Sequence, residues 1–147
     1  MVEDVFLTDW IYNRPRPSDD AMPDAYGEHL GIDVYSTAAN PTKVMSTGGN
    51  WMSDGDGIAF SSNLILDEND GNGDFGSLNY PDHTEQELDQ IFQDWMGIDE
   101  YIKMTVLPYD EIHHIDMHMK LLDEETLLIG EYPNGTSDGP QIEANIQ

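Results

Sequence analysis

The chain has 147 residues, with 30 Asp and Glu against 5 Lys and Arg, a formal net charge of −25, and 38% hydrophobic residues. Together with 3 Trp, 7 Tyr and 4 Phe, this apolar content is enough for one folded domain and excludes a disordered acidic tail. The negative charge disfavours nucleic acid and membrane surfaces as partners and favours cationic ligands. No stretch of the sequence has the roughly 20 apolar residues of a membrane span.

The sequence lacks cysteine and a recognisable signal peptide. The sequence contains no Cys, so disulfides and thiolate metal sites are excluded, although this leaves the cellular compartment open. The first residues lack the basic and apolar regions of a signal peptide. We therefore make no prediction of localisation beyond a chain that folds in water.

The N-terminal half alternates between strand and helix signals. A strand at 5–12 ends at the Asn13–Pro17 segment, whose prolines cannot continue a ladder. Ser18, Asp19 and Asp20 are N-cap residues for a helix at 21–30 that Gly31 closes, and a second strand follows at 32–35. After a turn at Thr47–Asn50, segments 51–53 and 58–61 predict a hairpin that 63–66 extends.

The C-terminal half begins with a polar loop at 67–81. Thr84 and Glu87 match a capping box, and apolar residues at helical spacing follow until Gly97. Further strands are predicted at 101–107, 113–122 and 126–132, and a helix opens at Gln141. Because the chain ends inside this last helix, we expect the sequence to be an internal piece of a longer protein.

The segment from His114 to Leu121 alternates polar and apolar residues. In a strand, His114, Asp116, His118 and Lys120 would share one face, with an imidazole and a carboxylate about 7 Å apart. Such a pair can flank a small substrate, so this face is a candidate catalytic site. The pattern is also typical of a solvated strand face without chemistry.

Two metal sites are alternatives. The His-x-Asp-x-His pattern at 114–118 would place two imidazoles and a carboxylate on one side of the strand, as in a transition-metal site. Asp70, Asn72 and Asp74 resemble the first half of a calcium loop, but Phe75 stands where an EF-hand has Gly. The segment therefore fits two alternatives, a site for a structural calcium or sodium ion and a flexible polar loop. No other cofactor is predicted.

Both arginines of the chain lie in the Asn13–Pro17 segment. Two guanidinium groups held by prolines could bind a carboxylate, with Asn13 beside them. Alternatively, Arg14 and Arg16 offset the nearby charges of Asp19 and Asp20.

Three motifs in this order resemble one enzyme family. They are the segment 12–20 (Tyr-Asn-Arg-Pro-Arg-Pro-Ser-Asp-Asp), the Thr47–Asn50 turn with Asp54 and Gly55 after it, and His114-Ile115-Asp116. Together they resemble the bacterial, Porphyromonas-type peptidylarginine deiminases and the agmatine deiminases of the guanidine-modifying (pentein) superfamily. This resemblance implies an α/β fold, part of a five-bladed propeller built of ββαβ modules, and antiparallel pairs should predominate in each blade.

The resemblance also implies roles. His114 corresponds to the general acid and base, Asp116 to a carboxylate that holds the substrate guanidinium, and Arg14 and Arg16 to the pair that grips a substrate carboxylate. The family's first catalytic aspartate and its cysteine nucleophile have no counterpart in this sequence. We therefore expect residues 1–147 to be a partial deiminase domain, lacking modules at both ends and inactive alone.

The predicted function is hydrolysis of a guanidino group by the full-length parent, through covalent catalysis at a cysteine. The expected partner is a small guanidine such as agmatine, or a peptide ending in arginine. Glu111, three residues before His114, would oppose a substrate that carries a carboxylate.

An alternative function is a non-catalytic module that binds a cation or metal ion through the His-x-Asp-x-His face. Exposed blade faces would also favour self-association.

Overall fold

The computed structural model describes residues 5–72 and 79–147. It divides into two compact units, each made of separate chain segments. The first unit comprises residues 1–46 and 68–96, and the second comprises 47–67 and 97–147.

In its described residues, the first unit contains two parallel strand pairs and three helices. Strands β1 (Phe6–Asp9) and β3 (Asp33–Ser36) pair in parallel, as do β2 (Ile11–Tyr12) and β4 (Met45–Ser46). The single strand predicted at 5–12 is therefore wrong, because it divides at Trp10 and its two parts pair with different strands. Its helices are α1 (Pro17–Asp20), α2 (Met22–Leu30) and α4 (Glu85–Met96).

Helix α2 directly precedes β3 and packs on both β1 and β3. Its predicted end is confirmed, since Gly31 adopts a left-handed conformation with φ of 69°. The predicted N-cap is wrong, because residues 17–20 form the separate helix α1 and no described side chain caps α2. Gly27 is buried where α2 meets β3, and a Cβ there would lie closer than 3.0 Å to the side chain of Val34.

Helix α4 supplies the apolar centre of the first unit. Its capping box is confirmed, with Thr84 N donating to Glu87 Oε2 at 2.8 Å and Glu87 N donating to Thr84 Oγ1 at 3.3 Å. Phe92 is fully buried, and its ring contacts that of Trp10 with centroids 6.5 Å apart. The other buried apolar residues here are Val44, Met45, Leu88 and Ile91.

Asp9, at the end of β1, is a carboxylate with an altered pKa. Burial raises the pKa of Asp9 above its ordinary 3.8, and the charges of Asp20 and Asp24 act in the same direction. A hydrogen bond of 2.8 Å from Ser36 Oγ to Asp9 Oδ2 opposes this shift. The net effect is that the folded chain holds the proton of Asp9 more tightly than an unfolded chain does.

The second unit is built on a three-stranded sheet. Strand β6 (Ile58–Ser62) lies between β5 (Met52–Ser53), which is antiparallel to it, and β7 (Glu100–Met104), which is parallel. The β5–β6 hairpin confirms the prediction. Residues 64–67 instead form the short helix α3 (Leu64–Asp67), so the predicted strand extension at 63–66 is wrong.

The C-terminal part of the second unit contains a hairpin and a helix. Strands β8 (Met119–Asp123) and β9 (Thr126–Ile129) pair in antiparallel fashion, and α5 (Gly139–Asn145) follows. Within the described ranges, three strand pairs are parallel and two antiparallel, so the expected predominance of antiparallel pairs is wrong. In the part of the chain that the structure describes, no helix combines the length and apolar character needed to cross a membrane.

Candidate active site

The site is built around a tight turn whose last residue is a buried asparagine. Residues Gly48–Asn50 form a 3₁₀ turn between β4 and β5, in which Asn50 N donates to Thr47 O at 3.1 Å. The Asn50 side chain is fully buried. Its Oδ1 accepts hydrogen bonds from Ser62 N at 2.9 Å and from Ile115 N at 3.2 Å, and its Nδ2 donates to Ser62 O at 3.4 Å. The asparagine therefore joins the end of β6 to the segment that carries the candidate catalytic residues.

That segment is a second 3₁₀ turn rather than a strand. Residues Ile115–Met117 form the turn, His114 precedes it, and β8 begins only at Met119. The prediction that His114, Asp116, His118 and Lys120 share a strand face is therefore wrong. The physical reason is that the hydrogen bonds of this backbone go to Asn50 and to local turn partners, such as Met117 N to His114 O at 3.3 Å, instead of to a neighbouring strand.

The turn nevertheless brings His114 and Asp116 together, against the backbone of Gly49. A Cβ added at Gly49 would lie closer than 3.0 Å to His114 Nδ1, and at 3.1 and 3.2 Å from the two carboxylate oxygens of Asp116. Both side chains thus lie within 3.2 Å of a single point beside the glycine. A side chain at this position would therefore displace His114 or Asp116.

The burial of the pair suits a site open to a ligand. Ile115 between them is fully buried and anchors the turn, whereas His114 is half-buried and Asp116 is exposed. An imidazole that can exchange a proton next to a carboxylate that can accept two hydrogen bonds is an arrangement suited to a cationic, hydrogen-bonding ligand.

His113 has a strained backbone immediately before the candidate acid and base. Its φ is 60°, in the left-handed region that residues with side chains rarely adopt. Asp110 Oδ2 accepts from His113 N at 2.9 Å, and Ser62 Oγ donates to His113 O. Sequence reasoning missed both partners. Asp110 stands three residues ahead, a spacing typical of side chain to backbone turns, but nothing in the sequence links Ser62 to residue 113.

His118 lies in a different environment from His114. It is buried, and neither ring nitrogen has a hydrogen-bond partner among the residues that the structure describes. Burial lowers the pKa of His118 below its ordinary 6.5, and the charges of Asp110 and Asp138 act in the opposite direction. His118 is therefore a buried imidazole that packs apart from His114 and Asp116, and Lys120 is exposed on β8.

The metal hypotheses gain no support from the geometry. Among residues 5–72 and 79–147, no three His, Asp or Glu side chains are grouped so that they could hold a metal ion. Of the calcium-loop candidates, Asp70 accepts a hydrogen bond from Asn72 N at 2.9 Å and forms an isolated bridge with Asp82. The third candidate, Asp74, lies outside the described residues.

The predicted substrate-binding residues belong to the first unit. Asn13 is buried, and its Nδ2 donates to Glu68 Oε1. Arg16 is exposed and lies 3.5 Å from Asp19, as the charge-offset interpretation expects. Arg14 is half-buried next to them. Because these residues and the His114–Asp116 pair occupy separate units, their common role stays a prediction.

Comparison with known proteins identifies the fold. No protein-family model matches the sequence. Solved structures, in contrast, show that the chain has the α/β fold of agmatine and arginine deiminases. This confirms, at the level of the fold, the resemblance that the sequence motifs indicated.

Three of these structures illustrate the similarity. An agmatine deiminase from C. jejuni has 16% identity and a TM-score of 0.64, over 95% of this chain and 39% of its own. Its substrate-bound form has 15% identity and also a TM-score of 0.64, over 95% and 42%. A Porphyromonas gingivalis protein provisionally assigned as an arginine deiminase has 16% identity and a TM-score of 0.71, over 95% and 42%. The chain thus spans about two fifths of the length of the structures that it matches.

Proposed function

We propose that this chain forms part of a guanidine deiminase, with His114 as general acid and base and Asp116 as the carboxylate that binds the guanidinium. The observation that carries the proposal is the placement of both side chains against Gly49, within 3.2 Å of one point, on a fold shared with deiminases. The formal charge of −25 further favours a cationic substrate over an anionic one.

The chemistry explains why such a pair is needed. A guanidinium carbon is a poor electrophile, so a carboxylate orients it while a thiolate attacks the carbon and an acid protonates the departing ammonia. The same imidazole, now neutral, takes a proton from water, which attacks the carbon and releases the ureido product and the thiol. His114 and Asp116 supply the proton transfers and the orientation, and the reaction needs no cofactor.

The nucleophile is the missing part. Because the sequence contains no Cys, the thiolate has to come from a protein segment outside these 147 residues. In the proposed parent protein that segment completes a propeller of ββαβ modules around the site. Arg14 and Arg16 would then bind the carboxylate of a substrate such as a peptide ending in arginine, whereas agmatine would not use them.

The first test measures the binding of agmatine to the 147-residue chain by calorimetry. We expect saturable binding that Asp116→Asn weakens by about 10-fold, since it removes a charge-assisted hydrogen-bond acceptor. Asp56→Asn is the matched control, because Asp56 is an exposed carboxylate of the same unit and its loss changes the net charge equally. Equal weakening in the two variants would mean that agmatine binds the acidic surface non-specifically, and would contradict the proposal.

The second measurement is ammonia release. The purified chain should release none from arginine, agmatine or a peptide ending in arginine, because no thiolate is present. Saturable citrulline formation by these residues alone would refute the assigned mechanism.

A further inference from the structure

We infer that Ser62 and Asn50 are positioning residues that hold His114 from both sides, an inference that rests on the proposed function of His114. The backbone groups on either side of His114 each bond to one of these side chains. Ser62 Oγ donates to the carbonyl of His113, and Asn50 Oδ1 accepts from the amide of Ile115 at 3.2 Å.

The two positioning residues are also bonded to each other. Ser62 N donates to Asn50 Oδ1 at 2.9 Å, and Asn50 Nδ2 donates to Ser62 O at 3.4 Å. Asn50 is fully buried and Ser62 is 2% exposed, so water cannot replace a lost bond without entering the core. The two side chains therefore form one rigid hydrogen-bonded pair at the end of β6.

The Asn50–Ser62 pair accounts for the strained backbone at His113. A residue with a side chain holds φ of 60° only when its surroundings over-determine that conformation. Ser62 bonds the His113 carbonyl and Asp110 bonds its amide at 2.9 Å, so both peptide groups of this residue are fixed. The consequence is that the imidazole of His114 points at Gly49 beside Asp116 instead of swinging with a free loop.

The adjacent serine provides a matched control. Ser61 and Ser62 are consecutive residues of β6 and both are buried, but Ser61 Oγ has no hydrogen-bond partner within residues 5–72 and 79–147. Ser61→Ala and Ser62→Ala therefore remove the same atom from the same strand, and only the second removes a bond to the segment that carries His114.

The test uses NMR of the imidazole Cε1–Hε1 group of His114 together with the Kd for agmatine. Ser62→Ala should shift and broaden the His114 signal and raise Kd by about 10-fold, since positioning errors of about 1 Å can cost up to 100-fold in function. Ser61→Ala should change neither. Ser62→Thr keeps the hydroxyl and should restore both the signal and the affinity.

Two results would overturn the inference: equal effects of the two alanine variants, or an unchanged His114 signal in folded Ser62→Ala. If Ser62→Ala does not fold, amide hydrogen exchange in the unmodified chain decides, because Ile115 N–H should be protected and rapid exchange would contradict the bond to Asn50. If the unmodified chain binds no agmatine, the proposed function fails, while the His114 signal still tests the positioning separately.

Discussion

Replacing Gly49 by alanine should disable the site while leaving most of the fold intact. The added Cβ would lie at 3.1 and 3.2 Å from the Asp116 oxygens and closer than 3.0 Å to His114 Nδ1. Non-bonded heavy atoms are comfortable at about 3.5 Å, so the carboxylate has to retreat by roughly 0.3 to 0.4 Å and the imidazole by more than about 0.5 Å. The two side chains can then no longer converge on the same point.

The size of the effect should differ between stability and binding. Overpacking a closed core costs about 1 to 3 kcal/mol, and the lower end applies here because Asp116 is exposed and His114 is half-buried, so both can turn away. Ligand binding should suffer more than stability, since the displaced groups are the two side chains that we propose contact the ligand. We expect the Kd for agmatine to rise by about 10-fold or more.

Gly48→Ala is the control for this experiment. Gly48 belongs to the same 3₁₀ turn, but a Cβ there would meet no atom of the described residues within 4 Å. Its replacement should leave Kd unchanged and should alter the free energy of unfolding by no more than about 1 kcal/mol, in the stabilising direction. Urea unfolding and calorimetry on both variants give the answer. If Gly49→Ala binds agmatine as tightly as Gly48→Ala, the contact between the glycine and the pair does not shape the site.

Two further predictions concern pH. The folded pKa of His118 lies below 6.5, so the unfolded chain takes up a proton first as the pH falls, and stability present above pH 6.5 should be lost below it. His118→Asn should flatten the urea-unfolding profile between pH 7 and 5, and an unaltered slope would exclude His118 as its source. The folded pKa of Asp9 lies above 3.8, so its charged form weakens the fold at neutral pH and protonation at low pH relieves this. Asp9→Asn should therefore raise the urea concentration at the unfolding midpoint at pH 7 but not at pH 3. A lowered midpoint at pH 7 would show that the charged form of Asp9 stabilises the fold, contrary to this prediction.

Sequence patterns predicted the elements that depend on neighbouring residues. The α4 helix follows from the capping box of Thr84 and Glu87, and the end of α2 follows from Gly31, because both signals act within a few residues. The β5–β6 hairpin likewise follows from the turn at residues 54–57, where Asp54 Oδ1 accepts from Ile58 N at 2.9 Å. Local chemistry decides these elements.

The segment around His114 shows where such reasoning fails. Its alternation of polar and apolar residues is typical of a strand, yet the backbone bonds to Asn50, which is 65 residues away along the chain from Ile115. The residues of the segment itself do not predict a hydrogen bond to Asn50. The pairing of His114 with Asp116 was nevertheless predicted, because residues two apart lie close together in a turn as well as in a strand.

The two units of the chain have a consequence for folding. The first needs residues 68–96 and the second needs residues 97–147, yet residues 47–67 of the second unit lie between the two segments of the first. No single cut can separate the units as intact pieces. During synthesis the first unit cannot close until residue 96 has left the ribosome, by which time an unfinished part of the second is already exposed. Many contacts therefore join distant parts of the sequence, a property that slows folding, and efforts to shorten the chain should keep both units whole.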